Sequence, residues 1–513
     1  MRTHVGAIAR ITLFTCLSFG MAVSKPAERT KSVQVQHTAK QFVQGRFSAD
    51  LRVHGPALQL APQAASSSFV SADIANDFPF NAIGPHWLAT LPAGTGLVFS
   101  VRASADGRHW GEWVIVPEDE DLAAPEDKGQ PAHVFVGDRM GALVFVAANS
   151  RFVQYKIDLQ GNLNSSPRVE RVALQLINSL DGPAFNESQN KLAPSTRQTQ
   201  QAAVPKPGLF KRAEWGARPP ARGYTYILAK HLVFHHTAGI ADYNVRDWND
   251  CAARVRAIQA YHMDSQGWDD IGYNYLICRH GSIVQGREDD NDATDIQGAH
   301  ACAKNSGTMG VSMLGYFHRD NVKPQADLPT PEMLSALQLL LAWKCDERNI
   351  DPKGRSFYAA HGAVADHILG HRDVCSTSCP GDSLFVYKPS IRDAVAKIIA
   401  DFTTAVSERS GEMPETFTLL PAYPNPFALS QRAASSAINL PFDLPIGQEL
   451  HVTIHNIAGQ MVHEWPARAW ATGLHKIVWD GKSMEGHEVP AGVYFVRMAG
   501  KTQMQQSKIL LIK

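Results

Sequence analysis

Two histidines and one cysteine carry the most distinctive chemistry in this chain of 513 residues. His371 and Cys379 lie close together in the sequence, and His235 lies well upstream in the stretch Phe234-His-His-Thr237. Imidazole nitrogen and thiolate sulfur suit zinc, and three protein ligands leave a fourth position open for water or substrate. Because an open position is typical of a catalytic zinc site, the set predicts metal-assisted hydrolysis.

The segment from residue 209 to residue 402 must bring these three side chains together, and its pattern alternates strands with helices. A buried strand at Tyr226–Phe234 is expected to end directly before His235. The other predicted elements are a helix at Cys251–Met263, a hairpin of Tyr273–Cys278 with Ser282–Gln285, a strand at Val311–Phe317, a helix at Pro331–Arg348 with Thr330 as its N-cap, and a helix at Pro389–Phe402. This alternation predicts an α/β domain with a mixed sheet.

Both flanks of this segment show short alternating runs between turn-forming residues, which predict antiparallel β-sandwiches in a multidomain chain. The expected boundaries are a flexible lead-in at 25–45, a sandwich at 46–180, polar linkers at 181–208 and 403–422, and a second sandwich at 423–513. The predicted strands of the first are Gly96–Arg102, Ala142–Ala147, Phe152–Asp158 and Val169–Leu176; those of the second are Ala437–Phe442, Glu449–His455, His475–Trp479, Gly492–Arg497 and Lys508–Ile512. Trp110 and Trp113 in the first sandwich either stack on a sugar or pack within the sheet.

The first residues and the composition indicate an exported protein. Arg2 and Arg10 accompany an apolar run at Ile11–Val23, which predicts a signal peptide over residues 1–24. Lipid attachment at Cys16 is the alternative. The run is too short for a transmembrane helix, and no later stretch is long and apolar enough to be one. A net charge of zero without a basic stripe argues against a nucleic-acid-binding protein.

Export also permits disulfides, and six cysteines follow the signal segment. They are Cys251, Cys278, Cys302, Cys345, Cys375 and Cys379. If Cys379 binds metal, five remain, so at least one has no partner within the chain. A disulfide of Cys379 with Cys375 or with another thiol is the alternative that would abolish the metal site. The sequence does not determine the pairing.

The segment 209–402 resembles the peptidoglycan recognition proteins and the N-acetylmuramoyl-L-alanine amidases of the same type. The matching residues are Arg212-Ala-Glu-Trp-Gly216, Val233-Phe-His-His-Thr-Ala238, Ile258-Gln-Ala-Tyr-His-Met263, Gly267-Trp-Asp-Asp-Ile-Gly-Tyr-Asn274, Gly286-Arg287, Gly298-Ala-His300, Asn305, Gly370-His-Arg-Asp373 and Thr377-Ser-Cys-Pro-Gly381. The resemblance implies zinc-dependent hydrolysis of the amide that joins the lactyl group of N-acetylmuramic acid to L-alanine in peptidoglycan. A non-catalytic peptidoglycan receptor is the rival interpretation, although relatives that only bind typically lack the zinc cysteine.

The resemblance also implies roles for individual residues. His235, His371 and Cys379 match the zinc ligands, and Tyr273 matches the catalytic tyrosine. Thr377 stands where relatives carry Thr or Lys beside the metal. The residues that match contacts with the muramyl peptide are His262, Gly267, Trp268, Arg287, His300 and Asn305. Within that set, the Gly267-Trp268 pair with Arg287 implies diaminopimelate rather than lysine in the stem peptide, since an Arg fork can bind the extra carboxylate.

Residues 423–513 resemble the type A sorting domain of proteins exported by the type IX secretion system. The matching residues are Tyr423-Pro-Asn-Pro-Phe427, Asn456-Ile-Ala-Gly-Gln460, Gly473-Leu-His475, Trp479-Asp-Gly481 and Ala491-Gly-Val-Tyr-Phe495. The resemblance implies an immunoglobulin-like sandwich and a location outside or on the surface of a Gram-negative bacterium; an adhesion or spacer module is the alternative. The sequence therefore predicts a secreted zinc amidase whose central α/β domain is flanked by an N-terminal β-sandwich and a C-terminal immunoglobulin-like sandwich.

Overall fold

The computed structural model describes three regions of the chain, which we call the N-terminal region (30–183), the central region (204–407) and the C-terminal region (417–512). The described residues are 30–119, 138–162, 164–183, 204–240, 245, 247–289, 294–319, 327–407, 417–420, 422, 427–428, 438–444, 446–470, 473–501 and 503–512. The predicted signal peptide, most of the first linker and the start of the sorting motif at Tyr423 lie outside these residues. Among the helices that the structure describes, none is both long and apolar enough to cross a membrane.

The N-terminal region is an antiparallel sheet with two long strands near its centre. Its elements are β1 (Lys31–His37), α1 (Ala39–Phe42), β2 (Arg46–Phe47), β3 (Leu51–His54), β4 (Ala57–Leu60), β5 (Ser66–Val70), β6 (Ile74–Thr90), β7 (Gly96–Ser104), β8 (Val114–Val116), β9 (Asp138–Met140), β10 (Val144–Gln160) and β11 (Arg168–Asn178). Hydrogen bonds join the eleven strands into one sheet, in which β6 lies between β10 and β11. Stacked rings of Trp87, Phe99 and Tyr155 mark its core. Division of the region into the two layers of a sandwich stays a prediction.

Two expectations about the N-terminal region were wrong. Residues 31–37, expected in a flexible lead-in, form β1, since its backbone completes one edge of β11 and Val35 packs on the core. The strands predicted at Ala142–Ala147 and Phe152–Asp158 are parts of a single strand, β10. Its register against β6 shifts on either side of Ser150. The polar residues there form a β-bulge, which has the same local composition as a turn.

The central region has the predicted α/β architecture with a mixed sheet. Its elements are α2 (Arg212–Trp215), β12 (Tyr226–Ile227), β13 (His231–His236), α3 (Trp248–Asp264), β14 (Tyr275–Ile277), β15 (Ile283–Gln285), β16 (Asp295–Ile296), β17 (Thr308–Met313), α4 (Pro331–Glu347), β18 (Arg355–Tyr358), β19 (Ala363–Asp366), β20 (Ile368–Gly370), α5 (Asp382–Phe385) and α6 (Lys388–Ser407). The five-stranded sheet has the order β15-β14-β17-β13-β20, in which only the edge strand β15 is antiparallel. Helix α4 begins as predicted, because the Thr330 hydroxyl accepts the Met333 N–H at 3.1 Å and Pro331 occupies the first turn.

The strand predicted at Tyr226–Phe234 is divided between two sheets. Tyr226–Ile227 pairs with β16, whereas β13 begins at His231 and pairs with β17 and β20. The N–H groups of Lys230 and His231 both donate to the carbonyl of Gly307, so the chain crosses from one sheet to the other at this point. The segment is apolar except at Lys230 and His231, and this pattern alone did not show that one strand ends and another begins there.

The C-terminal region consists of two sheets around a shared core. Its strands are β21 (Thr418–Leu419), β22 (Phe427–Ala428), β23 (Ile438–Leu444), β24 (Gln448–Asn456), β25 (Met461–Trp470), β26 (Gly473–Trp479), β27 (Gly492–Ala499) and β28 (Met504–Ile512). The sheet orders are β21-β23-β26 and β22-β28-β27-β24-β25, and Phe442, Val452 and Trp479 meet in the core between them. The sequence analysis missed β25. This edge strand contains Pro466, which an edge position tolerates.

One further core cluster belongs to two regions at once. Ala82 and Ile177 from the N-terminal sheet pack in the same buried cluster as Trp215 and Tyr261 from the central region. Helix α3 provides more of the central residues in this cluster than any other element does. The N-terminal sheet and α3 are therefore packed as one body of structure.

Candidate active site

Two adjacent parallel strands bring the predicted zinc ligands to one edge of the central sheet. His235 is the penultimate residue of β13, and His371 follows directly after β20 in a short 3-10 turn. Cys379 lies in the loop after that turn, where the Arg372 N–H donates to the Cys379 carbonyl at 2.9 Å. The Asp373 carboxylate accepts the Gly370 N–H at 2.8 Å, so it stabilises the turn. Residues far apart in sequence thus meet because the ends of parallel strands meet.

The three side chains have the spacing that a zinc ion requires. One ligand atom from each of His235, His371 and Cys379 lies within 4.8 Å of the others, and all three residues are buried. His235 Nδ1 lies 3.6 Å from Cys379 Sγ. Metal bonds of about 2.0 Å to nitrogen and about 2.3 Å to sulfur in a tetrahedral centre separate these atoms by about 3.5 Å. The donor set therefore fits zinc.

His300 contacts His235 on the side away from Cys379. His300 Nδ1 lies 3.0 Å from His235 Nε2, and the Thr308 hydroxyl lies 3.3 Å from His300 Nε2. The Asn305 side-chain oxygen accepts the N–H groups of His300 and Ala301 at 2.7 and 2.9 Å. The sequence analysis expected His300 and Asn305 to contact a muramyl peptide. The structure places His300 where it can orient His235, as outer partners of metal-binding histidines commonly do, and Asn305 where it holds the His300 segment. Their contact with a muramyl peptide stays a prediction.

Burial also keeps the imidazole of His235 in the form that binds metal. Desolvation, together with the neighbouring imidazoles of His371 and His300, holds the pKa of His235 well below its usual value. A neutral imidazole can offer a nitrogen lone pair, whereas a protonated one cannot.

The two predicted catalytic hydroxyls flank the ligands. The Tyr273 ring is 7% exposed, and its centroid lies 5.4 Å from that of His235. The Thr377 hydroxyl accepts the Cys379 N–H at 3.0 Å. Both side chains are therefore held beside the metal donors. Hydroxyl groups in such positions can donate hydrogen bonds to the oxygen atoms of a reacting amide.

The remaining predicted substrate residues lie behind Tyr273. Trp268 packs on His262 with a centroid distance of 4.7 Å, and His262 Nδ1 accepts the Gly272 N–H at 3.0 Å. Burial, followed by the charge of Arg287, lowers the pKa of His262 to about 3. Gly267 adopts a left-handed backbone with φ 69°, which favours glycine.

Arg287 differs from the expected open fork. Its Nε donates to the Ile271 carbonyl at 2.8 Å, and its Nη2 donates to the Asp270 carbonyl at 3.0 Å. The side chain is buried. The loop that precedes Tyr273 therefore uses two of the donors that the sequence analysis assigned to a diaminopimelate carboxylate.

The disulfides leave the metal ligands intact. Cys251 pairs with Cys278, and Cys302 pairs with Cys375. Neither disulfide includes Cys379, so the alternative of a Cys375–Cys379 bond was wrong. The second disulfide joins the segment that follows His300 to the loop that carries two of the ligands.

A small cavity beside Tyr273 is lined by His262, which the sequence analysis selected, and by Thr237, Asp119 and Leu143, which it did not. Thr237 and His262 line it from the central region, whereas Asp119 and Leu143 line it from the N-terminal region. Thr237 lies in the quoted His-His-Thr motif, which was the available signal. Asp119 and Leu143 lie outside the segment that resembles the amidases, and no local pattern marks them.

The tryptophan pair in the N-terminal region packs within the protein. The Arg102 guanidinium lies 5.0 Å from the Trp110 ring centre and 4.5 Å from the Trp113 ring centre. A cation over each indole favours the packing interpretation over sugar stacking.

Comparison with known proteins places the chain in a family. Residues 225–382 match the family model described as N-acetylmuramoyl-L-alanine amidase, and residues 430–504 match that of the FlgD Ig-like domain. The chain is 36% identical over 180 residues to peptidoglycan-recognition protein SC1a/b of Drosophila simulans, a match that covers 34% of this chain and 82% of that protein. It is 33% identical over 232 residues to the human N-acetylmuramoyl-L-alanine amidase, covering 44% of this chain but only 36% of the human protein. A solved structure of Drosophila PGRP-LB aligns with 31% identity over 36% of this chain and 93% of that one, with a TM-score of 0.29.

The amidase family match at residues 225–382 contains His235, His371 and Cys379, and the match at residues 430–504 agrees with the predicted immunoglobulin-like fold. The chain is thus a multidomain member of the family of peptidoglycan-recognition proteins and N-acetylmuramoyl-L-alanine amidases.

Proposed function

We propose that this protein is a secreted, zinc-dependent N-acetylmuramoyl-L-alanine amidase that hydrolyses the bond between the lactyl group of N-acetylmuramic acid and L-alanine. The observation that carries the proposal is the buried donor set of His235, His371 and Cys379, with 3.6 Å between the imidazole nitrogen and the thiol sulfur. Two imidazoles and one thiolate leave one position of a tetrahedral zinc ion open, as catalysis requires.

The residues around the donors have distinct tasks in this proposal. A bound zinc ion would polarise the scissile carbonyl and lower the pKa of a water molecule towards about 7. Tyr273 and Thr377 donate hydrogen bonds to the oxygen atoms of the reacting amide, each worth roughly 3 kcal/mol when well placed. His300 holds the ring of His235 in the orientation that points Nδ1 towards Cys379.

The proposed substrate is peptidoglycan of the diaminopimelate type. Its support is the sequence pattern of Gly267, Trp268 and Arg287. Because two donors of Arg287 are bonded to carbonyls of the preceding loop, recognition of the second carboxylate depends on its remaining donors or on a change in that loop. A non-catalytic peptidoglycan receptor is the second candidate function, since the family includes proteins named for recognition alone.

We also propose export by the signal peptide and delivery to the cell surface or medium by the type IX secretion machinery, through residues 423–513. The support is the residue pattern of the two termini. The FlgD Ig-like match is compatible with this role, because it describes the fold of the region.

The test is a comparison of zinc content and wall digestion in Cys379→Ala and in the wild type. We expect one zinc per chain in the wild type. Loss of the ligand should remove the metal and lower digestion at least about 100-fold, because even an outer partner of a zinc ligand is worth 10–100-fold.

Cys345→Ala is the matched control, because Cys345 is equally buried but lies in α4. It should keep both zinc and activity. Undiminished digestion by metal-free Cys379→Ala would refute the mechanism, and wall binding by a wild type that holds no zinc would favour the receptor.

A further inference from the structure

The N-terminal region is locked onto helix α3 by buried polar contacts. The Tyr261 hydroxyl lies 2.9 Å from the carbonyl oxygens of both Pro85 and Gly141, and the ring is 1% exposed. The Ile240 N–H donates to the Leu143 carbonyl at 3.0 Å, which joins the two regions through their backbones. Contacts of this kind resemble a domain interior more than the polar, mobile interfaces between most domains.

A second anchor lies one turn back on the same helix. Arg256 is 4% exposed. Its Nε donates to the Ser179 carbonyl just after β11, and its Nη1 donates to the Trp215 carbonyl in α2, both at 2.8 Å. One buried guanidinium thus ties the end of the N-terminal sheet to the central region. The position of the sheet on α3 is fixed at two separate points.

This docking closes the space beside Tyr273. Asp119 and Leu143 from the N-terminal region face Thr237, His262 and Tyr273 across a cavity of about 10 Å³. Such a volume holds about one water molecule. Neither a sugar ring nor a peptide chain fits there while the regions remain docked.

The closed side is next to the metal donors. Thr237 follows His235 by two residues, and the Tyr273 ring packs 5.4 Å from the His235 ring. A groove that is open on both sides of the reacting centre can hold the middle of a long strand. A groove that is closed on one side can hold only a substrate that ends there.

We propose that Asp119 and Leu143 close the substrate groove on the Tyr273 side, and that the enzyme therefore prefers short soluble muropeptides to intact cross-linked peptidoglycan. This inference rests on the amidase function proposed above and specifies its substrate class. The selection is steric. A continuous glycan strand or a cross-linked stem extends beyond the scissile bond, and Asp119 and Leu143 exclude that extension. Specificity of this kind arises from a clash with the wrong substrate.

The test compares two substrates of identical chemistry. One is intact diaminopimelate-type peptidoglycan, and the other is the disaccharide-tetrapeptide that a muramidase releases from it. The full-length, zinc-loaded wild type should cleave the fragment faster per amide bond by about tenfold or more, because only the intact wall meets the clash. Leu143→Ala and Asp119→Ala should each lower the ratio of the fragment rate to the wall rate, because each raises the rate on intact wall.

Glu118→Ala is the matched control, because this neighbouring carboxylate is exposed and pairs with Arg139 instead of lining the cavity. It should leave the ratio unchanged. If Leu143→Ala does not fold, Asp119→Ala decides, since Asp119 is only partly buried. Equal wild-type rates on both substrates, or unchanged ratios in the folded variants, would overturn the inference while leaving the amidase intact. Cleavage of neither substrate would overturn the proposed function and the inference with it.

Discussion

The N-terminal and C-terminal β-regions differ in where their apolar side chains are buried. Five apolar residues of the N-terminal region belong to a core cluster with α3 and the Tyr273 loop: Ala82, Met140, Leu143, Phe145 and Ile177. The core cluster of the C-terminal region draws its buried members from Phe417 to Leu511 alone. The N-terminal region therefore has a core of its own and also shares a core cluster with the central region, whereas the C-terminal core cluster contains residues of that region alone. Two flanking β-regions of one chain can thus differ in whether they share a core with the region between them.

The largest expected effect comes from removing each region in turn. Removing residues 1–183 exposes the central residues that pack against five apolar side chains, and burial of each large apolar side chain contributes about 1.5–3 kcal/mol. The free energy of unfolding should therefore fall by roughly 5–10 kcal/mol, which approaches the whole stability of a domain. We expect aggregation or loss of cooperative unfolding in calorimetry. Removing residues 417–513 should leave the central transition within about 2 °C of its original midpoint. A stable, active central region without residues 1–183 would contradict the comparison.

A single methyl group at the N-terminal interface should have the next largest effect. A Cβ at Gly84 would overlap the Tyr261 ring, so Gly84→Ala should lower the free energy of unfolding by about 1–3 kcal/mol through overpacking. Gly492→Ala in β27 is the control, since the nearest neighbour of its Cβ is the Tyr494 ring at 4.0 Å. Thermal unfolding of both variants measures the difference. Equal losses of stability in the two variants would show that the contact between Gly84 and Tyr261 is not tightly packed.

Removal of one hydroxyl sharpens the same comparison. Tyr261→Phe takes away the group bonded to the Pro85 and Gly141 carbonyls, and we expect a loss of about 1–2 kcal/mol in the transition that includes the central region. Tyr494→Phe removes a hydroxyl that donates to the Pro490 carbonyl at 2.8 Å within the C-terminal region. Its effect should be confined to the unfolding of that region, which chemical denaturation with domain-specific probes can resolve. A fall in central stability caused by Tyr494→Phe would mean that the two regions are coupled.

The smallest expected effect is a pH dependence that comes from His262. The pKa of His262 is about 3 in the folded protein, so between pH 3 and pH 6.5 the unfolded chain binds a proton that the folded chain does not. Stability therefore decreases as pH falls below 6.5, by about 0.7 kcal/mol between pH 7 and pH 6 from this residue alone. Protonation would also break the hydrogen bond from the Gly272 N–H to Nδ1.

His262→Asn isolates this contribution, because its side-chain oxygen can accept the same N–H and does not titrate. The difference in unfolding free energy between pH 7 and pH 6 should be smaller in the variant than in the wild type by that amount. Identical pH slopes would show that His262 is not held neutral.

The metal donor set was predictable from the sequence because its residues lie in recognisable motifs. The contribution of Asp119 and Leu143 to the cavity beside Tyr273 was not predictable. His235, His371 and Cys379 lie in motifs with recognisable neighbours, although the three-residue strand β20 that precedes His371 was not among the predicted strands. Asp119 and Leu143 reach the site through the docking of two regions, which depends on surface shape and leaves no period or spacing in the chain. Similarly, the bulge at Ser150 has the polar composition of a turn, and the edge strand β25 contains Pro466. Only tertiary pairing identifies both segments as strand.

The most direct test of the central claim is mass spectrometry of diaminopimelate-type muropeptides after incubation with the full-length, zinc-loaded protein. The account predicts free stem peptides with a new N-terminal alanine, together with muramic acid that has lost its peptide. Cleavage at any other bond, or intact muropeptides in the presence of protein that holds zinc and binds them, would contradict the amidase and leave a receptor.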